Sequence, residues 1–568
     1  MIGEISVGLI AALLVLAPQL IQALIQSRAG PDWVLILRAP VLILGVSVVA
    51  VLLQRFLLDR REGSRNYDGL ADLMIHIHSP ATPDSASRWT VRGVISFLLA
   101  LCGGIAGSEG SAVEISHAFA MKVRARSARW FEQRRRTDAS MTLAAAISAA
   151  FRAPFAGVLL PIELGIGGRT LSSAVASLSA FIFGNFLIRH FSLDHFDVAG
   201  ALEGFRFAGW KSWVSPIVLG AGIGVFGALL IRFMRYGQDS LLDLFQTQAW
   251  MRILAAGAII FLIALIYPAA HGSSQVMLEN VFWSRHGFNE MGLLLCCKIL
   301  ILTMLIAGFG TIGVFWPLFA IGGVIGFGFD TYVWHALPGF SVVIGFAGAA
   351  AVWGAVLGTP VTAAILSYEL TQNLQLVLPC LIAGFVAKAV RTYLKTPPLF
   401  EIDLQARGLP LIGGRSAAIL DHLYVREAMV TDHELVHEHE PVAELFARLM
   451  RSPYAFLPVV SSQGIYMGLL TADMIQDAWK HQSSGEKSSP LAKLVGAKDL
   501  LYKSGMKIRS VRAGDRLSAS DGAFKEMPCV PVVTEDQRVV GLLFVYNVRL
   551  SYDREVARRS LSFESREV

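Results

Sequence analysis

Residues 144–164, AAAISAAFRAPFAGVLLPIEL, return 206 positions later as AAVWGAVLGTPVTAAILSYEL, setting Pro154 on Pro360, Glu163 on Glu369 and Leu164 on Leu370. The register runs backwards without a gap, because Gly107 and Ile115 in GSEGSAVEIS fall on Gly313 and Ile321 in GVFWPLFAIGG. Nine identities across residues 107–164 are few, and Ala- and Gly-rich helices align readily. Proline and glutamate, however, are scarce and costly in apolar helices, so shared composition does not account for their coincidence. A duplicated apolar chain points to two halves that meet around a site near the bilayer midplane.

At 568 residues, 54% apolar, 16% charged and with a mean hydropathy of +0.55, the chain is too apolar to be wholly soluble and too long for one domain. Runs with little or no charge lie at about 5–26, 33–58, 91–106, 139–164, 171–191, 213–231, 252–268, 291–322, 339–370 and 374–390. A crossing takes about 20 apolar residues. Several runs are shorter, or broken by Gly or Pro, which predicts tilted and half-crossing helices packed within protein. The first run starts with Glu4 rather than a basic segment and carries Pro18 and Gln19, so it reads as a membrane helix and not a secretory signal. The five cysteines show no C-x-x-C spacing and four sit in apolar runs, the pattern of reduced core residues.

Basic residues concentrate in one connection: Lys122, Arg124, Arg126, Arg129, Arg134, Arg135 and Arg136. That loop is expected on the cytoplasmic side. Its counterpart 206 residues later, 328–342, carries only Asp330, so the two halves are expected to insert with opposite orientation. The basic run lacks the interleaved aromatics of a nucleic-acid module, and no nucleic-acid partner is expected. Beyond about residue 400 the long apolar runs stop. There YAFLPVVSSQGIYMGLLTADM (454–474) and EMPCVPVVTEDQRVVGLLFVYNV (526–548) each give strand, turn, strand and helix, a second and smaller duplication. The Ser-rich HQSSGEKSSP joins them as a loop.

Chemistry is best placed at GSEGS. Glu109 is flanked by glycines at the start of an apolar helix, where free amides carry roughly half a positive charge and bind anions. The counterpart at Gly313 to Pro317 has Pro317 in a first helical turn and Phe315 as an apolar wall. Two such helix starts from inverted halves would converge, and the Glu109 carboxylate could occupy an anion's place there and leave it on protonation. The plainer alternative is that Glu109 only caps its own helix.

GSEGS, GVFWP, the 144–163 segment and GTPVTAAILSYELTQNLQLVLP together resemble the membrane domain of the CLC chloride channel and proton-coupled chloride transporter family, and the tail resembles a pair of CBS modules. The resemblance implies that Glu109 is a gating glutamate. It implies that Ser108, Gly110, Ser111, Gly313, Val314 and Phe315 line the anion site, with amides near 108–111 and 314–315 as donors. It places Phe400 where the family has a Tyr hydroxyl on the central anion, and Asp68 with Gly69 where it has a coordinating Ser. A second negative charge 4 Å from an anion would repel it by about 4 kcal/mol at an effective dielectric near 20. Leu164 stands where proton-coupled members carry an internal glutamate, which favours a passive channel over an antiporter. Glu163, recurring as Glu369, is read as structural with Pro154 and Pro360. Arg92 resembles a basic residue behind the anion site, or is a snorkelling helix-end side chain.

His76 and His78, at spacing two and without a carboxylate or Cys cluster, are read as loop or interface residues and not as a metal site. CBS pairs often bind adenine nucleotides. Here Thr471 is in place, but Met474 fills the next slot and the nearest acid is Asp473; the second module has Gly541, Phe544 and Asn547. That argues against a nucleotide and for a dimer-forming or gating role.

The resulting expectation is an α-helical polytopic membrane protein with a CLC-like inverted repeat (1–400, halves about 33–200 and 213–400). After a linker (401–420) it continues as a cytoplasmic α/β CBS pair (421–480 and 498–555, joined by 481–497) and a tail (556–568). The expected role is not enzymatic: passive transport of chloride or a similar small anion by a homodimer in the lipid bilayer, at the cell (inner) membrane, with no cofactor besides the bound ion. The rivals are a proton-coupled antiporter, a transport-inactive scaffold or sensor, and a cation transporter, for which Asp68 and Glu109 are too few acids.

Overall fold

The computed structural model describes residues 2–26, 32–53, 73–74, 77, 86–102, 106–123, 131–167, 169–193, 196, 198, 202, 210–245, 248–270, 272–283, 287–310, 312–334, 340–402, 411–412, 415–416, 423–483, 496–504, 510–517, 524, 528–548, 550–551, 554–555 and 558. The chain divides into two compact units, one made of most of the chain up to Ser416 and the other mainly of Ala417–Val568, which also takes in the short stretches 78–81 and 127–132.

The first unit is helical: α1 (Ile2–Gln26), α2 (Asp32–Leu53), α3 (Ala86–Leu101), α4 (Ser108–Val123), α5 (Phe131–Phe151), α6 (Pro154–Glu163), α7 (Thr170–Phe191), α8 (Trp210–Phe245), α9 (Ala249–Ile266), α10 (Ser274–Trp283), α11 (Phe288–Met304), α12 (Phe315–Phe329), α13 (Phe340–Val352), α14 (Pro360–Thr371) and α15 (Val377–Tyr393). Among the described residues seven helices are long and apolar enough to cross a membrane. The 36 residues of α8 span about 54 Å, well over the hydrocarbon thickness, so it tilts or projects. α6 and α14, of 10 and 12 residues, are too short to cross.

The apolar runs of the sequence break where the backbone must turn. The 139–164 run divides into α5 and α6 at Arg152, which takes φ +54°. The 291–322 and 339–370 runs each pass through a π turn, Leu305–Phe309 and Trp353–Leu357, that ends on a left-handed glycine, Gly310 or Gly358. α4 has no counterpart among the apolar runs because it carries Glu109, Glu114, His117 and Lys122; the first three are nevertheless fully buried. α12 and α13 form the closest helix pair of the core. A Cβ on Gly326 would strike the Ile344 carbonyl, and one on Gly348 the Gly322 carbonyl, so only glycine permits this approach.

The repeat is written into the hydrogen bonds. Pro154 and Pro360 open α6 and α14 and lack an N–H, so the next amides of each helix need an acceptor. Glu369 accepts from Phe155 N (2.9 Å) and Ala156 N (2.8 Å). Glu163 accepts from Val361 N (3.0 Å) and from Thr362 N and Oγ1 (2.7 Å each). Each half therefore caps the short helix of the other, at positions related by the same offset of 206. Glu163→Ala and Glu369→Ala are each expected to leave two amides without an acceptor and to destabilise the membrane unit by about 2 kcal/mol. Thermal unfolding of the purified variants checks this, and unchanged midpoints would contradict it.

The second unit begins after a short antiparallel pair, β1 (Leu411–Ile412) with β2 (Arg415–Ser416). Its two three-stranded sheets are β3 (Val436–His437), β4 (Phe456–Val460), β5 (Tyr466–Thr471) and β6 (Val511–Arg512), β7 (Cys529–Val533), β8 (Val539–Phe544). In both, the first strand is parallel to the second, the second antiparallel to the third, and a register shift falls after the same valine, Val459 or Val532. The smaller duplication is thus structural. α16 (Val425–Ala428) precedes the first sheet. α17 (Val442–Arg451), α18 (Ala472–Ser483) and α19 (Ala497–Ser504) follow, residues 545–548 after β8 are helical too, and Val442, Leu445 and Leu449 of α17 pack on Leu457 and Leu470. Burial in β7 pushes the Cys529 thiol up to about 12. Iodoacetamide at pH 8 should therefore leave Cys529 unmodified in the folded protein and alkylate it after denaturation, as peptide mass spectrometry will read; modification of the folded protein would show that the module core opens.

Candidate functional site

Glu109 occupies the first turn of α4 and is fully buried. Its side chain does more than cap α4: it reaches across to the start of α12 in the other half. There Oε1 accepts from Trp316 N at 3.0 Å, and the amides of Phe315 and of Glu109 itself also face the carboxylate. The N-termini of α4 and α12 thus converge on one carboxylate, the arrangement that favours a negative charge.

The backbone of the two halves meets at the same point. Gly107 N donates to Gly313 O at 3.1 Å, and these two residues are related by the 206-residue offset. Gly110 N turns back to Gly107 O at 3.2 Å and Ser111 Oγ donates to Ser108 O at 2.9 Å, which shapes the α4 start; Gly110 and Ser111 are buried and Ser108 is partly exposed. Val314 N is committed to Ile312 O at 2.7 Å. The α12 donors are therefore Phe315 and Trp316, one step later than the 314–315 pair read from the sequence. Pro317 was the available signal: it has no N–H, so Trp316 carries the last free amide before it.

Aromatic rings wall the site. Phe151 stacks on Trp316 at 4.2 Å, Phe315 lies 5.7 Å from Trp353, and Trp353 Nε1 donates to Phe315 O at 3.2 Å. Arg92 is buried and lies behind the α12 approach. Its Nη2 donates to Gly310 O at 2.8 Å and pairs with Glu114 at 3.3 Å, while Ser96 donates to Glu114 at 2.6 Å. A snorkelling role is excluded by that burial.

The remaining sequence candidates fall elsewhere. Asp68, Gly69, His76 and His78 lie outside the described residues. Phe400 is buried, and its neighbour Leu399 donates to Val356 O at 2.9 Å; among the described residues no hydrogen bond or ring contact joins Phe400 to the Glu109 cradle. Leu164 closes α6 and is buried. Glu163, beside it, is engaged by α14. In the second unit Thr471 Oγ1 accepts from Met474 N at 3.4 Å, the geometry of a helix cap, and Asp473 is exposed on the first turn of α18. Among the described residues no group of three His, Cys, Asp or Glu could hold a metal ion.

Fold and site together define a membrane protein of two inverted, related halves whose helix starts converge on a buried carboxylate, followed by a CBS region. The family model described as "Voltage gated chloride channel" matches residues 7–392, more than half of the chain, and the CBS domain model matches 425–480. The chain belongs to the voltage gated chloride channel family. Among known relatives, the H(+)/Cl(-) exchange transporter ClcA of Vibrio parahaemolyticus serotype O3:K6 (strain RIMD 2210633) is 26% identical over 268 residues, and that of Yersinia pestis 28% over 275. These matches cover 45% and 46% of this chain, and the chain spans about half, 56%, of each relative's length. The fold is similar to that of a slow cyanobacterial Cl-/H+ antiporter (TM-score 0.60, 22% identity, 71% of this chain and 97% of that one). It is also similar to a eukaryotic CLC transporter (TM-score 0.55, 18% identity, 96% and 97%).

The cradle yields a discriminating pair of substitutions. A Cβ on Gly107 would fall on both Glu109 carboxylate oxygens, the movable end of a side chain, whereas one on Gly313 would strike the Gly107 backbone. Gly107→Ala is expected to fold and to expel the Glu109 carboxylate, raising its labelling by a carbodiimide several-fold; Gly313→Ala is expected to lower the yield of folded protein. Equal behaviour of the two would contradict the geometry.

Proposed function

We propose that this protein carries chloride, or a similar small anion, across the membrane in exchange for protons, with Glu109 as the group that both ions use. The observation that carries the reading is the Glu109 carboxylate held in the amides of two converging helix starts. Those amides accept any negative charge of suitable size. While Glu109 is ionised it fills the cradle; once protonated it loses its claim on the donors, and an anion can replace it. One proton arriving at Glu109 is thereby linked to one anion entering the cradle.

A passive channel is the second reading, and Leu164 favours it, since leucine relays no proton and Glu163 is held by α14. Exchange is preferred because the named relatives are exchange transporters and neighbouring folds belong to antiporters. A proton can then reach Glu109 through other residues or water. Phe400, lacking a hydroxyl, withdraws one anion ligand from the path that the family resemblance implies, and the same resemblance assigns Asp68, a residue of the anion's own sign, to that path. Both weaken binding beyond the cradle and tune ion preference. We further propose that the basic connection after α4 and the CBS pair are cytoplasmic, that copies associate as homodimers, and that the CBS pair acts in association or gating without a nucleotide.

Purified protein in liposomes, with chloride and proton movements recorded together, tests the function. Linked fluxes that rise as pH falls are expected, because acid frees Glu109 from the cradle. Glu109→Gln, a permanent mimic of the protonated form, should carry chloride without protons and without the pH dependence. Chloride release with no proton movement in the parent would establish the channel reading instead, and no flux of either ion would leave a scaffold.

A further inference from the structure

Arg152 turns α5 into α6 in a left-handed conformation that few residues other than glycine adopt. It lines a cavity of about 300 Å³ with Gln19, Phe151, Trp316, Glu369 and Gln372. Its Nε donates to Asn185 Oδ1 at 2.9 Å, which fixes the guanidinium while its other donors have no protein acceptor among the described residues. No ion pair joins it to the cavity's carboxylate among the described residues, because Glu369 keeps both oxygens on the Phe155 and Ala156 amides at the start of α6. Arg189 lies within electrostatic range of Arg152 and adds charge of the same sign. A positive excess at the wall of an apolar membrane unit is costly unless a negative partner visits it.

Trp316 joins this cavity to the cradle. Its indole forms part of the cavity wall and stacks on Phe151, while its backbone N–H is the donor to Glu109. The two spaces are thus one residue apart. α5 runs 21 residues, about 31 Å, from Phe131 to Phe151, so Arg134, Arg135 and Arg136 of the basic connection lie near its start and the cavity lies at its other end.

We propose that the cavity is an anion anteroom, in which Arg152 holds a small monovalent anion beside Trp316, at the end of α5 remote from the basic connection, before it enters the Glu109 cradle. This rests on the reading of the protein as an anion carrier. The volume admits a halide with part of its water shell, a water taking roughly 30 Å³.

The test measures the chloride concentration at half-maximal flux in liposomes. Arg152→Asn, which tolerates the left-handed backbone, should raise it roughly tenfold, the low end of what a focused field adds to local ion concentration. Arg152→Lys should restore most of the loss. Arg152→Cys should recover when a cationic methanethiosulfonate is attached and worsen with an anionic one, a sign dependence that a purely structural corner would not give. A half-saturating concentration unmoved by these changes, or equal effects of the two reagents, would overturn the anteroom while the carrier reading stood. Bromide-soaked crystals provide a readout independent of transport. An anomalous peak beside Arg152, absent in Arg152→Asn, supports the anteroom even if the parent moves no chloride; no peak there would overturn it.

Discussion

Helix starts inside a membrane leave amide hydrogens that no water can satisfy, and the architecture of the first unit depends on how these are met. Three helix starts take a glutamate from the opposite half. Glu369 serves α6, Glu163 serves α14 and Glu109 serves α12. The first two form a symmetric exchange, and each carboxylate uses both oxygens on two successive amides. The third has no mate, because the counterpart of Glu109 is Phe315. It is held through one oxygen to Trp316, with looser approach of two other amides. Where the duplication is kept, the carboxylate is a two-oxygen cap; where it is broken, it is held through one oxygen, and the proposal that an anion replaces it rests on that difference.

The surroundings of the third cap keep it replaceable without letting it collapse. Gly107 and Gly313 bring the two halves into backbone contact and leave no Cβ in the space the Glu109 side chain uses. Stacked Phe151 and Trp316, with Phe315 and Trp353 behind them, give the cradle an apolar wall, beside which fixed amide dipoles count for more than they would in solvent. Arg92, tied to Gly310 and to Glu114, braces the segment that leads into α12.

Much of this was legible in the chain. The 206-residue register placed Pro154 with Pro360 and Glu163 with Glu369 as structural pairs, and the reciprocal caps are what that register becomes in three dimensions. GSEGS marked the site because an acid between Gly107 and Gly110 at a helix start stands among free amides that bind anions, although a plain helix cap reads the same in sequence. Other features were hidden by their chemistry. α4 was masked by Glu114, His117 and Lys122, polar residues that break an apolar pattern, although Glu114 is buried and paired with Arg92, His117 is buried and Lys122 stands exposed near the helix end. The donor at Trp316 was displaced by one residue because the Val314 amide closes a tight turn on Ile312, a local bond that no side-chain pattern announces. Leu164 and Phe400 gave the reverse difficulty. The missing carboxyl of Leu164 suggested a passive path, whereas the relatives' names weigh towards exchange, since a proton can travel by routes that leave no mark at one position; the missing hydroxyl of Phe400 bore on anion binding and not on the proton.

The central claim is that the Glu109 carboxylate and the transported anion compete for the same amides, and proton linkage of anion binding tests it most directly. Calorimetric chloride titrations of the detergent-purified protein, repeated in buffers of different ionisation enthalpy, report protons taken up per anion bound. Competition predicts proton uptake by the parent as chloride displaces the carboxylate, and none by Glu109→Gln. Chloride binding without proton exchange in the parent, or an equal uptake in Glu109→Gln, would contradict it.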